Sequence, residues 1–169
     1  DQRRRDFSIN AMAIGVHRAA WGELLDPFGG RADLASKVLR TPLEPTETFS
    51  DDPLRILRGL RFASQLGFDV DPACLEGMAA TADRLSILSP ERIQTELLKI
   101  LASPKPSVGL GLMFRCGAMD VLLPEVAALA GVDEVEGHLH KDNFWHTLAV
   151  VDNTAEQTEN VWMSLAALL

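Results

Sequence analysis

Apolar and charged positions separate most cleanly in "DDPLRILRGLRFASQLG", residues 51–67. At about 100° per residue, Ile56, Leu57, Leu60 and Ala63 fall within one arc of about 120°, and Arg55, Arg58 and Arg61 fall on the other side. The pattern predicts an amphipathic helix, with Asp52 as N-cap, Pro53 at the first helical position and Gly67 closing it. "SPERIQTELLKIL", residues 89–101, repeats the logic. Ser89 caps, Pro90 opens, Ile93, Leu97 and Ile100 form the buried stripe, and Lys99 sits near the negative end of the helix dipole. Further helices are expected at 72–84, 107–118, 120–130 and 143–169.

The first 43 residues read differently. "FSINAMAIGV" suits a short helix or a helix running into a strand, "GELLDPFGG" a short strand closed by a Pro/Gly turn, and "VLRTPL" a strand ended by proline. Residues 7–43 therefore look like the edge of a mixed domain, with helices from position 50 onward. No internal repeat or low-complexity segment stands out.

Length and composition bound what the motifs can mean. A chain of 169 residues, 47% hydrophobic, can bury one sizeable core or two small ones, which argues against a disordered chain. Cys74 and Cys116 lie far apart without ligand-like spacing, so they read as core filler in a reducing compartment. No basic segment followed by an apolar core opens the chain, and no apolar run approaches the roughly 20 residues that span a bilayer. A cytoplasmic protein without a membrane partner is expected. The first residue is not Met, and "VWMSLAALL" ends without a helix stop signal, so part of a longer protein is also expected.

The formal charge of −8 is unevenly spread. Residues 1–70 carry 10 Lys and Arg against 10 Asp and Glu, and residues 71–169 carry 6 against 14. A polyanion would meet the first part, which holds "RRRD" (residues 3–6) and the arginine helix. Arginines three apart on a helix repel one another, so the ridge needs a compensating anion. A solvated basic face with Asp52 merely capping is the plain alternative. Planar guanidinium forks suit phosphate oxygens and base edges, and a carboxylate at the head of the same helix can accept from an exocyclic amine.

"RRRDFSINAMA", "LLDPFGGRADL", "FSDDPLRILRGLRFASQLGF" and "SPERIQTELLKIL", in this order and at these distances, resemble the class II nucleotidyltransferases, the CCA-adding tRNA enzymes and the bacterial poly(A) polymerases. The match covers about residues 1–102. "HLHKDNFWHTLAVVDN" with "SLAALL" at the end resembles the start of an HD-type domain. The resemblance implies a mainly α chain: a short α+β remnant of a nucleotidyltransferase head at about 1–45, a helical nucleotide-binding neck and RNA-binding body at 46–130, and the beginning of an HD-type helical domain at 131–169. It implies an enzyme that adds CMP and AMP from CTP and ATP to tRNA or other RNA 3′ ends, as CCA or as a poly(A) tail.

By the same resemblance, Arg5 and Asp6 handle the triphosphate and ribose of the incoming nucleotide, Asp52 and Arg55 read the base, and Arg58 and Arg61 line the nucleotide site. Asp51 stands where the family has glutamate. An Asp/Arg pair suits the amino edges of cytosine and adenine alike, whereas uracil and guanine would set carbonyl oxygen against carboxylate. The anion expected to offset the arginine ridge is then a nucleoside triphosphate.

Phosphoryl transfer in this family also uses Mg2+, held by an Asp-x-Asp upstream of the RRD block. No catalytic carboxylates are expected in the present sequence, which should be inactive alone. Asp69-Val70-Asp71 follows Gly67 and precedes Pro72, so it reads as a turn and N-cap. His138, His140 and His146 cluster with Asp142; a hydrogen-bonded or exposed histidine cluster is the default reading, and by the HD-type resemblance His146 matches the first metal ligand. A divalent metal there would make an HD-type phosphohydrolase an alternative function, and a non-catalytic RNA-binding module is another. Oligomeric state is left open. Trp145 and Trp162 read more readily as core aromatics than as stacking platforms, and no sequence argument separates the two.

Overall fold

The computed structural model describes residues 1–131 and 143–169, and between them the backbone of 134–135 and 138–139. The protein is mainly helical. Two 3-10 turns (Gln2–Arg4 and Ser8–Asn10) lead into an antiparallel hairpin of β1 (Ala13–Ile14) and β2 (Leu24–Leu25), with Ala13 opposite Leu25. The carboxylate of Asp26 then starts α1 (Gly30–Ser36) by accepting the N–H of Gly30 at 2.7 Å and of Arg31 at 2.9 Å. These bonds, that of Arg31 foremost, hold the Asp26 carboxyl below its ordinary pKa. Ile14, Val16 and Trp21 remain exposed on the hairpin.

β3 (Val38–Leu39) pairs in parallel with β4 (Asp69–Val70), tying this first segment to the helices. Arg40, just after β3, fastens the join. Its guanidinium pairs with buried Asp33 of α1 and lies 3.0 Å from Asp71, and Asp33 also accepts from Ser8 Oγ at 2.5 Å. The hydrogen bond to Asp71, followed by the charge of Asp33, raises the pKa of Arg40. Asp71 caps α4 (Pro72–Ala80) by accepting the N–H of Ala73 at 3.0 Å. The Asp69-Val70-Asp71 run is thus a two-residue strand followed by the expected cap.

The helices α3 (Leu54–Leu66), α5 (Pro90–Leu101) and α6 (Pro106–Arg115) follow the predicted pattern with corrected ends, whereas α2 (Pro45–Asp51) was not predicted, the 72–84 helix ends at Ala80 with a 3-10 turn (Ala82–Ile87) after it, and the 120–130 helix is divided into α7 (Ala118–Leu122) and α8 (Pro124–Ala127). Pro53 occupies the cap position of α3, so the helix begins one residue later than predicted; Asp52 still caps it, accepting the N–H of Leu54 at 3.2 Å. Gly67 ends it at φ +65°, a left-handed backbone that suits glycine. After a backbone hairpin of β5 (Glu134–Val135) and β6 (His138–Leu139), the predicted 143–169 helix is broken in two, α9 (Asn143–Gln157) and α10 (Val161–Leu168). The break occurs because Asn160 starts the second helix, accepting the N–H of Trp162 at 3.2 Å.

α3 is the centre of the core and packs against α5 and α6, while α9 covers the other side of α6 and contacts α10. Ile56, Leu57, Leu60 and Ala63 are fully buried against Ile100, Leu101, Leu110 and Met113. Cys74 and Cys116 are buried among them, and burial raises both thiol pKa values, as core filler requires. Trp145 and Trp162 depart from expectation: both are about half exposed. Phe144 takes the buried place instead, its ring centroid 4.4 Å from that of Phe114.

The crossing of α6 over α3 depends on Gly109, whose N–H donates to Ser64 Oγ at 2.7 Å. A Cβ there would overlap that oxygen and come within 2.8 Å of the Leu60 carbonyl oxygen, which belongs to helix backbone and cannot easily give way. Gly109→Ala is expected to cost about 2 kcal/mol by overpacking, read as a lower denaturation midpoint in urea at an unchanged slope.

Candidate functional site

The RRD block docks on the first turns of α3. Arg55 donates through Nη2 to the Arg4 carbonyl at 2.8 Å and through Nη1 to the Thr48 carbonyl at 3.1 Å, joining the chain's start, α2 and α3. Its Nε lies 3.5 Å from Asp6 Oδ1, and Arg58 approaches Asp6 Oδ2 at 2.6 Å. One carboxylate therefore straddles two guanidiniums, and it is largely shielded, with 14% of its side chain exposed.

Arg61 faces elsewhere. Its Nε is 3.0 Å from Glu96 Oε2 on α5, and its guanidinium lies 4.4 Å over the Phe62 ring centroid. Glu96 is buried and also meets Lys99 Nζ at 3.0 Å through its other oxygen. The Arg61 N–H is not aimed at Oε2, so these two buried atoms form an ion pair without a hydrogen bond. The arginine ridge is thus offset by carboxylates of the chain itself, Asp6 for Arg55 and Arg58 and Glu96 for Arg61. Sequence reasoning missed Glu96. Its signal was position: it lies three residues after Ile93 and four before Ile100, beside the buried stripe of α5.

Asp52 keeps one side open. Its Oδ1 accepts from Leu54, and Arg92 Nη2, from the first turn of α5, lies 3.3 Å from both carboxylate oxygens. Arg92 is a second residue that sequence reasoning did not single out. Arg5 is exposed, and with Asp1, Arg4 and Arg55 it lines an open cavity of about 360 Å³. Arg5 and Arg55 therefore share the recess, Asp6 joins Arg55 to Arg58 at the head of α3, Asp52 lies at the helix start beside Arg92, and Arg61 is turned towards α5. An open space lined by three guanidiniums has the charge and donor geometry to hold phosphate oxygens.

His146 is exposed on α9. The His138 side chain, His140 and Asp142, its expected neighbours, lie outside the described residues. Among the described residues no group of three or more His, Cys, Asp or Glu side chains could hold a metal ion.

Residues 1–40 match the family described as "Poly A polymerase head domain", and residues 67–129 match "Probable RNA and SrmB- binding site of polymerase A". The Multifunctional CCA protein of Vibrio parahaemolyticus is 40% identical over 173 residues, covering 99% of this chain and 41% of that protein. The Bacillus stearothermophilus CCA-adding enzyme, solved in complex with CTP, superposes with a TM-score of 0.70 at 34% identity over 76% of this chain and 32% of its own. A tRNA nucleotidyltransferase solved with a primer tRNA and an incoming ATP analog superposes with a TM-score of 0.72 at 27% identity over 99% of this chain and 48% of its own. Both matched segments and these relatives make the chain similar to the class II tRNA nucleotidyltransferases. It spans about two fifths of the length of the curated relative it matches. The arginine helix α3 falls between the two matched segments, and its Arg55 meets Asp6 of the first.

Proposed function

We propose that this chain is the nucleotide-recognition and neck part of a template-independent RNA nucleotidyltransferase that transfers CMP or AMP from CTP or ATP to an RNA 3′ end, completing CCA on tRNA or building a poly(A) tail. Residues 1–45 are the C-terminal part of the head, 46–130 the neck and RNA-binding body, and 131–169 the beginning of an HD-type domain in which His146 would be a metal ligand. The observation that carries the reading is that Arg55, at the start of α3, both lines the recess with Arg4 and Arg5 and shares the Asp6 carboxylate with Arg58.

In this reading Arg5, with Arg4 and Arg55 around the recess, holds the triphosphate, and Asp6 orients the ribose while keeping Arg55 and Arg58 in place. Arg55 has N–H groups left after its bonds to the Arg4 and Thr48 carbonyls, and these donate to the ring acceptor beside the amine that Asp52 receives. Arg61 then acts on the site only from behind, by fixing α3 to α5 through Glu96. A bound Mg2+ would supply activation of the attacking hydroxyl and charge stabilisation on pyrophosphate. The carboxylates described here do not fit that role: Asp71 is occupied by Arg40 and the start of α4, and no described cluster suits a metal. The match of residues 67–129 to an RNA-binding family supports an RNA partner. No described helix is long and apolar enough to cross a membrane, and the two buried free cysteines suit the cytoplasm.

The test is base selectivity in the complete protein. Asp52→Ala and Arg55→Ala are each expected to lower the preference for CTP and ATP over UTP and GTP by about 100-fold, because a reader built for an amine loses its partner. Unchanged use of all four nucleotides in both variants would remove the base-reading role.

A further inference from the structure

The Asp52 carboxylate has an unusual set of holders. It projects from the extended residue between α2 and α3, and its own element supplies one contact, the Leu54 N–H on Oδ1. A carboxylate held by one oxygen can still turn about χ2, whose energy profile is broad and roughly two-fold. The contact that spans both oxygens comes from 40 residues away, Arg92 Nη2 at 3.3 Å from Oδ1 and from Oδ2. Arg92 is itself carried on an anchored helix. Glu96, one turn further along α5, is buried against Arg61 of α3. Residues four apart share a helix face, so α5 presents a cation and then an anion to the segment that presents Asp52 and then Arg61.

We infer that Arg92 is the positioning residue of the base reader: it fixes the plane of the Asp52 carboxylate so that the free lone pair of Oδ2 points at the exocyclic amine of the incoming base. This inference rests on the reading of Asp52 given above. Discrimination between an amine and a carbonyl depends on the direction of that lone pair as well as on its presence, since a carboxylate free to turn can move away from a wrong base and is spread over several orientations for a right one. The Arg92–Asp52 pair is solvent-accessible, with 49% and 37% of the two side chains exposed, so it contributes little to stability. Its removal therefore separates orientation from folding.

The experiment compares kcat/KM for CTP and for UTP on one RNA 3′ end, using the complete protein and its Arg92→Ala, Arg92→Lys, Asp52→Ala and Arg92→Ala/Asp52→Ala variants. Arg92→Ala is expected to lower the CTP-to-UTP preference about tenfold, mainly through a higher KM for CTP, at an unchanged thermal midpoint. Arg92→Lys should recover part of the loss, because an ammonium supplies the charge without the planar fork. In the Asp52→Ala background Arg92→Ala should change nothing further. Loss of preference in Asp52→Ala with none in Arg92→Ala would overturn the positioning role, as would full multiplication of the two effects in the double variant. Intact preference in Asp52→Ala alone would overturn the reader and, with it, the role assigned to Arg92.

Discussion

Replacing Glu96 by alanine is expected to destabilise the protein by about 3 kcal/mol, among the largest losses available from a single side chain here. Glu96 has 4% of its side chain exposed, and it faces the Arg61 guanidinium, itself 13% exposed, between α3 and α5. Removing the carboxylate leaves the guanidinium in the helix interface over the Phe62 ring, without its counter-charge. Lys99, 45% exposed, can turn to water and should lose little. Removing both charges by Arg61→Met with Glu96→Leu should restore most of the loss, since the cost comes from an uncompensated charge more than from the pair's own worth. Urea denaturation checks this. A double variant as unstable as Glu96→Ala would place the loss in packing rather than in charge.

The same pair shows what the sequence could and could not reveal. α3 and α5 were legible because their information is local: an apolar stripe with helical period, proline at the opening and glycine at the close of α3. The partners of the arginines were not. Arg58 meets Asp6 across 52 positions, and a local reading sees only like charges three apart. That is why the compensating anion was sought in a ligand when the chain also supplies it. The parallel pairing of β3 with β4 involves two residues on each strand, too few to show a period. Trp145 and Trp162 were misplaced for a different reason. Side-chain size favours burial on average, but which helix face meets the core is decided by neighbours, and on α9 the buried faces went to Phe144, Leu148 and Val151. Arg5, Asp6, Asp52, Arg55 and Arg58 could be named as candidates because the motifs carry them. The division of labour between the cationic recess and the α5-facing Arg61 needed three-dimensional placement.

Asp6→Ala should produce the second large effect, and one with a ligand signature. Asp6 is the shared counter-ion of Arg55 and Arg58, so its removal leaves two partly shielded guanidiniums one turn apart with their repulsion uncompensated. A loss of about 2 kcal/mol is expected at low ionic strength, shrinking as salt screens the exposed side of the pair. An added polyanion then has more to offset in the variant than in the parent. By linkage, anything that binds the folded state more tightly stabilises it more, so inorganic tripolyphosphate should raise the thermal midpoint of Asp6→Ala by more than that of the parent. Tripolyphosphate is the right probe because it has no ribose. With ATP, the gain at the phosphates would be offset by the loss of the ribose contact proposed for Asp6, and the two shifts would be closer. A smaller tripolyphosphate shift in Asp6→Ala than in the parent would mean that Asp6 does not compete with phosphate for the ridge, and that its carboxylate holds Arg55 and Arg58 in the only arrangement able to receive the anion.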